Sequence, residues 1–273
     1  MKRISDVFAH KDRKALIAYI TVGYPSIEAT LKTVPLLAEC GCDIVELGIP
    51  FSDPLADGAT IQNASHHALL NGVTPQICLD VAAKLSKKKA DIPLVFMTYL
   101  NPLLSYGLAA FCRTCPESSV SGLIIPDLPP DEGGELDEMA RQNGIDLIYL
   151  LPPRATEARA RLIAHKSQGF IYLVSVTGVT GARTSLPQNL ETSIAKLRTI
   201  TDKPLCVGFG ISTPEQACAA ARLADGVIIG SKIIQLMEAD ESLVTLSDFV
   251  KDVRESLDGL SKRGSQGALQ KKR

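Results

Sequence analysis

Eight short apolar runs recur along the chain with helical stretches between them, and this alternation limits the fold more than any other feature. Each run is rich in β-branched and aromatic residues, as expected for parallel strands that are covered on both faces. The runs are 15–23, 42–50, 92–99, 121–128, 146–153, 170–177, 204–212 and 226–234. They predict an α/β fold, a single-domain (β/α)8 TIM barrel. The alternative is a doubly wound open sheet, but no G-x-G-x-x-G motif follows the first run.

Helix start signals lie between the runs. Thr213 stands before Pro214 and three residues before Gln216, which is the pattern of a capping box with proline at the first helical position. Similar starts are Thr74 before a proline and Thr156 before a glutamate. We also expect a short amphipathic helix at the N-terminus, around residues 4–8.

Length and composition support one large folded domain followed by a tail. The chain has 273 residues, of which 45% are hydrophobic and 22% are charged, and this is an ordinary globular composition. Residues 1–260 are assigned to the barrel. The segment 261–273 has five basic side chains, no acidic ones and several small residues, so we expect a disordered basic tail there.

Charge and cysteine content exclude several classes of protein. The net charge is −1, so there is no basic field for nucleic acid, and charged residues interrupt every apolar run before it could span a membrane. The N-terminus lacks the apolar core of a secretory signal. Seven cysteines, an odd count in a large chain, favour free thiols and a cytoplasmic location. Cys112 and Cys115 form one C-x-x-C pair, too few ligands for a zinc site.

Glu46 is the first candidate for chemistry because it interrupts an otherwise apolar strand. Side chains alternate along a strand, so Cys42, Ile44, Glu46 and Gly48 share one face, and the residues between them form the better helix-facing surface. Glu46 is therefore expected inside the barrel, where burial should raise its pKa and suit it to acid–base work. The alternative is a structural glutamate paired with a lysine or with backbone amides.

The longest gap between runs follows the Glu46 strand. Its excess length lies between Pro50 and Thr74, on the face of the barrel where active sites are built. Asp53 and Asp57 in this loop have the form of ordinary turn signals. Either could also place a second carboxylate opposite Glu46, which would let one site hold two protonation states.

Three glycine-rich segments follow the last three strands, at 178–183, 208–213 and 230–234. Loops at this end of a barrel often bind phosphate, and Ser231 falls at the start of the next helix, whose amides favour an anion. Arg183 and Lys232 could add positive charge. The glycines could instead serve only to turn tight corners.

Aromatic side chains lie on strands or at strand ends, where they could line a site for a flat apolar group or belong to the core. They are Tyr19, Tyr99, Tyr172 and Phe209. Asp127 ends the fourth run, and either a turn or a supporting role would explain it. His66 and His67 are adjacent, so a helix would point them apart and they do not form a metal pair.

The chain resembles the α subunit of tryptophan synthase from about residue 4 to residue 260. The motifs that carry the resemblance are VELGIPFSDPLADG, VSVTGVTGAR, GFGIS, YITVGYP, MTYLNPLLSYG and GLIIPDLPP. It implies a TIM barrel that cleaves indole-3-glycerol phosphate to indole and glyceraldehyde 3-phosphate, without a metal or organic cofactor in this chain. By match to the motifs, Glu46 is the acid–base residue and Asp57 stabilises positive charge at the indole nitrogen.

The resemblance also implies the substrate-binding residues. They are Tyr19, Tyr99, Tyr172, Thr180, Gly181, Phe209, Gly210, Gly230 and Ser231. Tyr172 helps to position Glu46, Thr180 belongs to a mobile loop, and the glycines with Ser231 form the phosphate cradle. Ala59 replaces a proline that often follows the ADG sequence, and Leu100 stands where many relatives have a second aromatic residue.

The family further implies a partner, a β subunit that carries pyridoxal phosphate, in an α2β2 tetramer through which indole passes internally. Pro50, Phe51 and Asp53 match the loop that contacts this partner. Three alternatives stay open: another phosphate-binding barrel enzyme such as an isomerase or epimerase, a stand-alone enzyme that releases indole, and a slow subunit that mainly activates its partner.

Overall fold

The computed structural model describes residues 2–10, 12–87, 91–174, 190–208 and 210–270. All strands in these ranges are parallel and form one sheet in the order β5-β4-β3-β2-β1-β9-β8-β7-β6. The strands are β1 Ala15–Thr21, β2 Ile44–Gly48, β3 Leu94–Met97, β4 Val120–Ile124, β5 Asp146–Ile148, β6 Leu150–Leu151, β7 Ile171–Val174, β8 Leu205–Gly208 and β9 Gly226–Ile229.

The two ends of this sheet are one piece of chain, which closes the barrel. Only Tyr149 separates β5, which pairs with β4, from β6, which pairs with β7. The Tyr149 carbonyl still accepts a hydrogen bond from the backbone N–H of Tyr172 at 3.2 Å. The two segments are therefore the fifth strand of an eight-stranded barrel, as the eight apolar runs predict, and the TIM-barrel prediction is confirmed.

Helices surround the barrel and follow the predicted start signals. They are α1 Ile4–Phe8, α2 Ile27–Glu39, α3 Ala59–Leu70, α4 Pro75–Lys87, α5 Leu100–Tyr106, α6 Leu108–Glu117, α7 Gly134–Gln142, α8 Glu157–Lys166, α9 Leu190–Arg198, α10 Pro214–Ala221, α11 Ser231–Ala239 and α12 Val244–Gln270. The side chains of Thr74, Thr156 and Thr213 each accept a hydrogen bond from the backbone N–H three residues on, as N-caps do.

Alternation along the strands divides the core into two layers. One strand face lines the barrel interior with apolar side chains, and the other packs beneath the helices. Ile4 of α1 belongs to the interior cluster and is fully buried, so the N-terminal helix fills the amino end of the barrel. The prediction that Cys42 shares this interior face is wrong. Cys42 precedes β2, where the strand geometry has not begun, and it packs with the helix-facing layer.

Two segments differ from the expectation drawn from the sequence. Residues 59–70 were expected within a long loop but form α3, whose buried face carries Ala64 and Ala68 while polar residues cover the rest. Small apolar residues give this helix a weak periodic signal. At the other end, α12 continues to Gln270, past the boundary drawn at residue 260. The division into a barrel domain at 1–260 and a basic, disordered tail at 261–273 stays a prediction.

The cysteines of the described chain are buried or partly buried. All seven cysteines are free thiols, and Cys112 and Cys115 are buried on α6. Among the described residues, no group of three or more His, Cys, Asp or Glu side chains is arranged to hold a metal ion. Within the same ranges, no helix has the length and apolarity required to cross a bilayer.

An ion-pair network joins the start of β2 to the C-terminal helix. Asp43 accepts hydrogen bonds from Arg13 Nε at 3.0 Å, from Arg254 at 3.1 Å and from the backbone N–H of Leu16 at 2.8 Å. The Arg254 side chain is only 8% exposed. Removing one member of such a buried network leaves its partners without compensation, which costs more than an exposed pair contributes.

We predict that Asp43→Ala lowers the free energy of unfolding by about 3 kcal/mol, because it leaves the Leu16 amide without its partner and removes one of the two carboxylates that pair with the buried Arg254, the other being Asp258. Arg161→Ala, which removes an exposed ion pair with Glu157, is the matched control and should cost less than about 1 kcal/mol. Urea unfolding followed by circular dichroism measures both. Equal losses in the two variants would contradict the assignment of Asp43 as a structural junction.

Candidate active site

Glu46 lies in the barrel interior near the carboxyl end of β2, as its alternation with Ile44 and Gly48 predicts. Its register partners are Tyr19 on β1 and Val95 on β3. The side chain is 0% exposed, and neither carboxyl oxygen has a hydrogen-bond partner among the described residues. The structural alternative, a glutamate held by a lysine or by amides, therefore finds no support in the described part of the chain.

This unpaired burial determines the protonation state of Glu46. Loss of water around the carboxyl raises its pKa to about 8, since no described donor or cation stabilises the charged form. At neutral pH the group holds a proton that it can donate. A carboxylic acid with a pKa near the working pH can also take the proton back within one turnover.

Tyr19 and Tyr172 flank Glu46, and glycine makes room for each of them. A Cβ added at Gly48 would lie 2.2 Å from the Tyr19 hydroxyl oxygen, and one added at Gly208 would lie 2.4 Å from that of Tyr172. Burial and the nearby carboxylates raise the pKa of both phenols well above the ordinary value, so both stay protonated. Any larger residue at either glycine would displace a tyrosine from the site.

Asp57 belongs to the same pocket. Burial is the largest cause of the raised pKa of Tyr19 and of Tyr172, and the negative charges of Asp57 and Glu46 raise both values further. The two carboxylates therefore lie near both tyrosine rings. Burial raises the pKa of Asp57 to about 6, while a hydrogen bond from Tyr99 opposes the shift. Asp57 is thus mainly ionised at neutral pH while Glu46 is mainly protonated.

Tyr99 holds the Asp57 loop by two hydrogen bonds. Its hydroxyl accepts one from the backbone N–H of Ala56 at 2.9 Å and donates one to the Asp57 carboxylate. Its ring lies 5.4 Å from that of Phe51, between ring centres. The Gln62 side chain adds a hydrogen bond to the Asp57 carbonyl at 2.9 Å. The sequence predicts Tyr99 only as pocket lining, whereas the structure makes it an anchor of the loop.

The predicted phosphate end is described only in part. Gly230 and Ser231 lie at the start of α11, with Gly230 against the Tyr19 ring, and Gly210 has a φ of +43° that favours glycine. Lys232 points its amine toward the Phe249 ring, 6.0 Å from the ring centre. The remaining predicted residues, Thr180, Gly181, Arg183 and Phe209, lie outside the described residues.

The other residues singled out from the sequence contact parts of the fold outside the pocket of Glu46. Asp127 accepts a hydrogen bond from the backbone N–H of Leu100 at 2.9 Å and so caps the first turn of α5. His66 and His67 lie side by side on α3 with their ring centres 6.1 Å apart, and the His67 ring faces Tyr24. Ala59 is the exposed first residue of α3.

Met97 is a site residue that the sequence interpretation missed. It is half-buried at the carboxyl end of β3 and packs against both the interior cluster and the cluster that contains Tyr19. It lies two residues after Val95, the register partner of Glu46, so strand alternation places it on the same inner face. Extending the alternation argument from β2 to β3 would have found it.

The chain is similar to known proteins along most of its length. The model of the family described as tryptophan synthase alpha chain matches residues 6–259. The tryptophan synthase alpha chain of Dehalococcoides mccartyi is 58% identical over 94% of this chain and 100% of its own length. That of Geobacter sulfurreducens is 44% identical over 94% and 99%.

A solved structure of Mycobacterium tuberculosis tryptophan synthase shares the fold. It superposes with a TM-score of 0.88 at 35% identity and covers 94% of this chain and 98% of that one. A chain from Aquifex aeolicus superposes with a TM-score of 0.86 at 38% identity, covering 94% and 99%. The match of fold, length and sequence shows that this chain belongs to the tryptophan synthase alpha chain family.

Proposed function

We propose that this chain cleaves indole-3-glycerol phosphate to indole and glyceraldehyde 3-phosphate, with Glu46 moving the protons and Asp57 stabilising the charged indole. Membership of the family makes the chain a lyase of tryptophan biosynthesis. The observation that carries the assignment of residues is the pair of carboxyls in one pocket, one with a pKa raised to about 8 and the other to about 6.

The retro-aldol step needs one proton delivered and one removed. Protonated Glu46 gives its proton to carbon 3 of the indole ring. The resulting carboxylate takes the proton of the glycerol hydroxyl on the adjacent carbon as the carbon–carbon bond breaks. The bonding electrons return to the ring to give indole, and the hydroxyl carbon becomes the aldehyde. Glu46 finishes protonated, as it began, so the proton balance closes on one side chain.

Asp57 acts on the charge that this proton transfer creates. Protonation at carbon 3 puts positive charge on the indole nitrogen, and an ionised carboxylate beside that nitrogen lowers the energy of the intermediate. Tyr99 holds the Asp57 side chain, and Gln62 holds its carbonyl, so the carboxylate is oriented before the substrate arrives. Tyr19, Tyr172 and Phe209 are proposed to line the space for the indole ring.

The phosphate group is proposed to bind at the start of α11. Gly230 and Ser231 place backbone N–H groups there, and the dipole of α11 favours an anion. Gly210 is exposed beside the end of β8 and completes the described part of this cradle. Thr180 and Gly181 are proposed to close over it, by analogy with the family motif.

The partner is proposed to be a β subunit carrying pyridoxal phosphate, in an α2β2 tetramer in the cytoplasm, with no organic cofactor or metal in this chain. Two large apolar side chains support a docking surface on the carboxyl face of the barrel. Leu55 in the Asp57 loop is 92% exposed and Leu104 on α5 is 55% exposed. Phe51 and Asp53 lie on the same loop as Leu55.

We predict a bell-shaped pH dependence of kcat/KM with limbs near pH 6 and pH 8. Below about pH 6, Asp57 gains a proton and loses its charge, and above about pH 8, Glu46 loses the proton that it must donate. Steady-state indole release measures the profile. In Asp57→Asn, the fall of kcat/KM below pH 6 that is caused by protonation of Asp57 should disappear.

The substrate phosphate also titrates near pH 6, so its contribution needs separation. The acid limb that persists in Asp57→Asn belongs to the phosphate, and the part that disappears belongs to Asp57. An acid limb of the same size in both proteins, or a wild-type profile that stays flat above pH 8, contradicts the assigned roles.

We predict that Glu46→Gln lowers indole release by about 10²- to 10⁴-fold, because the amide cannot exchange a proton. The same change should improve stability in alkaline solution. The pKa of Glu46 rises from 4.5 to about 8 on folding, so ionisation opposes folding, and the wild type loses stability relative to the variant as pH rises from about 4.5 to about 8. Thermal unfolding at pH 5 and pH 8.5 measures this difference.

The pH dependence separates a catalytic glutamate from a structural one. A constant stability difference between the two proteins at both pH values would mean that the Glu46 carboxyl is paired in solution. Retained indole release would remove Glu46 from the proton transfers.

We predict that a purified tryptophan synthase β subunit stimulates indole release and that Leu55→Asp weakens its binding at least tenfold, because a charge replaces an exposed apolar side chain at the interface. Leu70→Asp is the matched control, since Leu70 is 71% exposed at the far end of α3. Titration calorimetry measures both affinities. Fast indole release without the partner would instead identify a stand-alone enzyme. If both variants weakened binding equally, the docking surface would not be the one around Leu55.

A further inference from the structure

Helices α3 and α11 lie side by side at the carboxyl end of the barrel and contact each other along their lengths. The Gln235 side-chain amide, in the middle of α11, donates a hydrogen bond to the hydroxyl of Thr60 in the first turn of α3 at 3.4 Å. Ala64, one turn after Thr60, and Ile234, next to Gln235, are both buried in a cluster with Tyr19. The contact therefore reaches from the solvent surface to a side chain of the active site.

The far ends of the two helices are joined through the loop after β1. The Tyr24 ring lies 6.0 Å from the His67 ring of α3, between ring centres. The Tyr24 hydroxyl donates a hydrogen bond to Glu238 of α11. Tyr24 is also a member of the apolar cluster that contains Ala64 and Ile234. The two helices are thus joined by the Thr60–Gln235 hydrogen bond, by the Ala64–Ile234 cluster and through Tyr24. We therefore expect them to move as one body.

Each helix carries one end of the proposed site. Helix α3 begins two residues after Asp57, and Gln62 in its first turn holds the Asp57 carbonyl. Helix α11 begins at Ser231, where the substrate phosphate is proposed to bind. The spacing between the phosphate and the Asp57 carboxylate is therefore transmitted through the α3–α11 contact.

The Asp57 loop depends on such support because much of it faces solvent. Residues 52, 53, 55 and 56 are exposed, and the Tyr99 hydroxyl, just after β3, binds the loop at the Ala56 N–H. A displacement of about 1 Å in a catalytic group is enough to lower a rate substantially. A helix fixed at its first turn by a side-chain hydrogen bond limits that displacement.

We propose that Thr60 and Gln235 are positioning residues, which hold α3 against the phosphate-binding helix and so set the place of the Asp57 carboxylate. The proposal rests on the proposed function of the site. Neither side chain contacts the reacting groups in this assignment. Their hydrogen bond fixes the distance between the two ends of the substrate, and its loss should affect turnover more than phosphate affinity.

Three single variants, and the double variant that combines Thr60→Val with Gln235→Ala, test the hydrogen bond. Thr60→Val removes the hydroxyl at nearly constant volume, Thr60→Ser keeps it, and Gln235→Ala removes the donor. We expect Thr60→Val and Gln235→Ala each to lower kcat for indole release about fivefold, the effect of one neutral hydrogen bond. Thr60→Ser should restore kcat to within twofold of wild type, and the double variant should be no slower than either single variant.

Two further measurements separate positioning from general damage. The affinity for glyceraldehyde 3-phosphate alone, measured by calorimetry, should stay within twofold in all variants, and the thermal midpoint should stay close to that of wild type. The proposal is overturned if Thr60→Ser is as slow as Thr60→Val, if the two single effects multiply in the double variant, or if kcat is unchanged throughout.

Failure of the proposed function would have a different signature. Gly230→Asp puts a negative charge at the start of α11 and should weaken glyceraldehyde 3-phosphate binding if the phosphate lies there. Unchanged affinity in that variant would place the phosphate elsewhere, whatever the Thr60 and Gln235 variants do. Weakened binding in Gly230→Asp, together with wild-type kcat in Thr60→Val, would overturn only the positioning role.

Discussion

A closed parallel barrel forces every second strand side chain into one interior that all the strands share. At the amino end this interior is filled by apolar side chains and by Ile4 of α1. Near the carboxyl end the same alternation places Glu46, whose oxygens have no partner in the described chain. The cost of burying that carboxyl is what raises its pKa and makes it an acid at neutral pH.

The second carboxyl differs because a loop, and not a strand, carries it. Asp57 sits at the edge of the interior, where it receives a hydrogen bond from Tyr99, so burial raises its pKa less than that of Glu46. Two identical functional groups thus acquire different protonation states from their surroundings. The difference follows from the fold, since a strand residue is enclosed by neighbouring strands while a loop residue keeps one side toward the mouth.

The sequence predicts the barrel and the orientation of Glu46 because both follow from short-range patterns, namely apolar runs and period-two alternation. It fails at Cys42, where the chain has not yet entered the strand, and at residues 59–70, where a helix with small apolar residues gives little periodic signal. It also misses the role of Tyr99, because the Ala56 contact joins residues 43 positions apart. Such a contact depends on which loop folds over which strand.

The glycines at the mouth show how backbone composition limits side-chain choice. Gly48 and Gly208 each end a strand beneath a tyrosine hydroxyl, and neither has room for a Cβ. Tyrosine and glycine at these places form matched pairs on neighbouring strands, β1 with β2 and β7 with β8. A substitution at the glycine therefore changes the aromatic wall without touching an aromatic residue.

Ile4 helps to close the amino end of the barrel, so only the carboxyl end is open. Because α1 fills the amino end, substrate must enter and both products must leave through the carboxyl mouth. The mouth is also where Leu55 offers its exposed side chain. Both products therefore share one route out of the barrel, and a protein that docks on Leu55 would border that route.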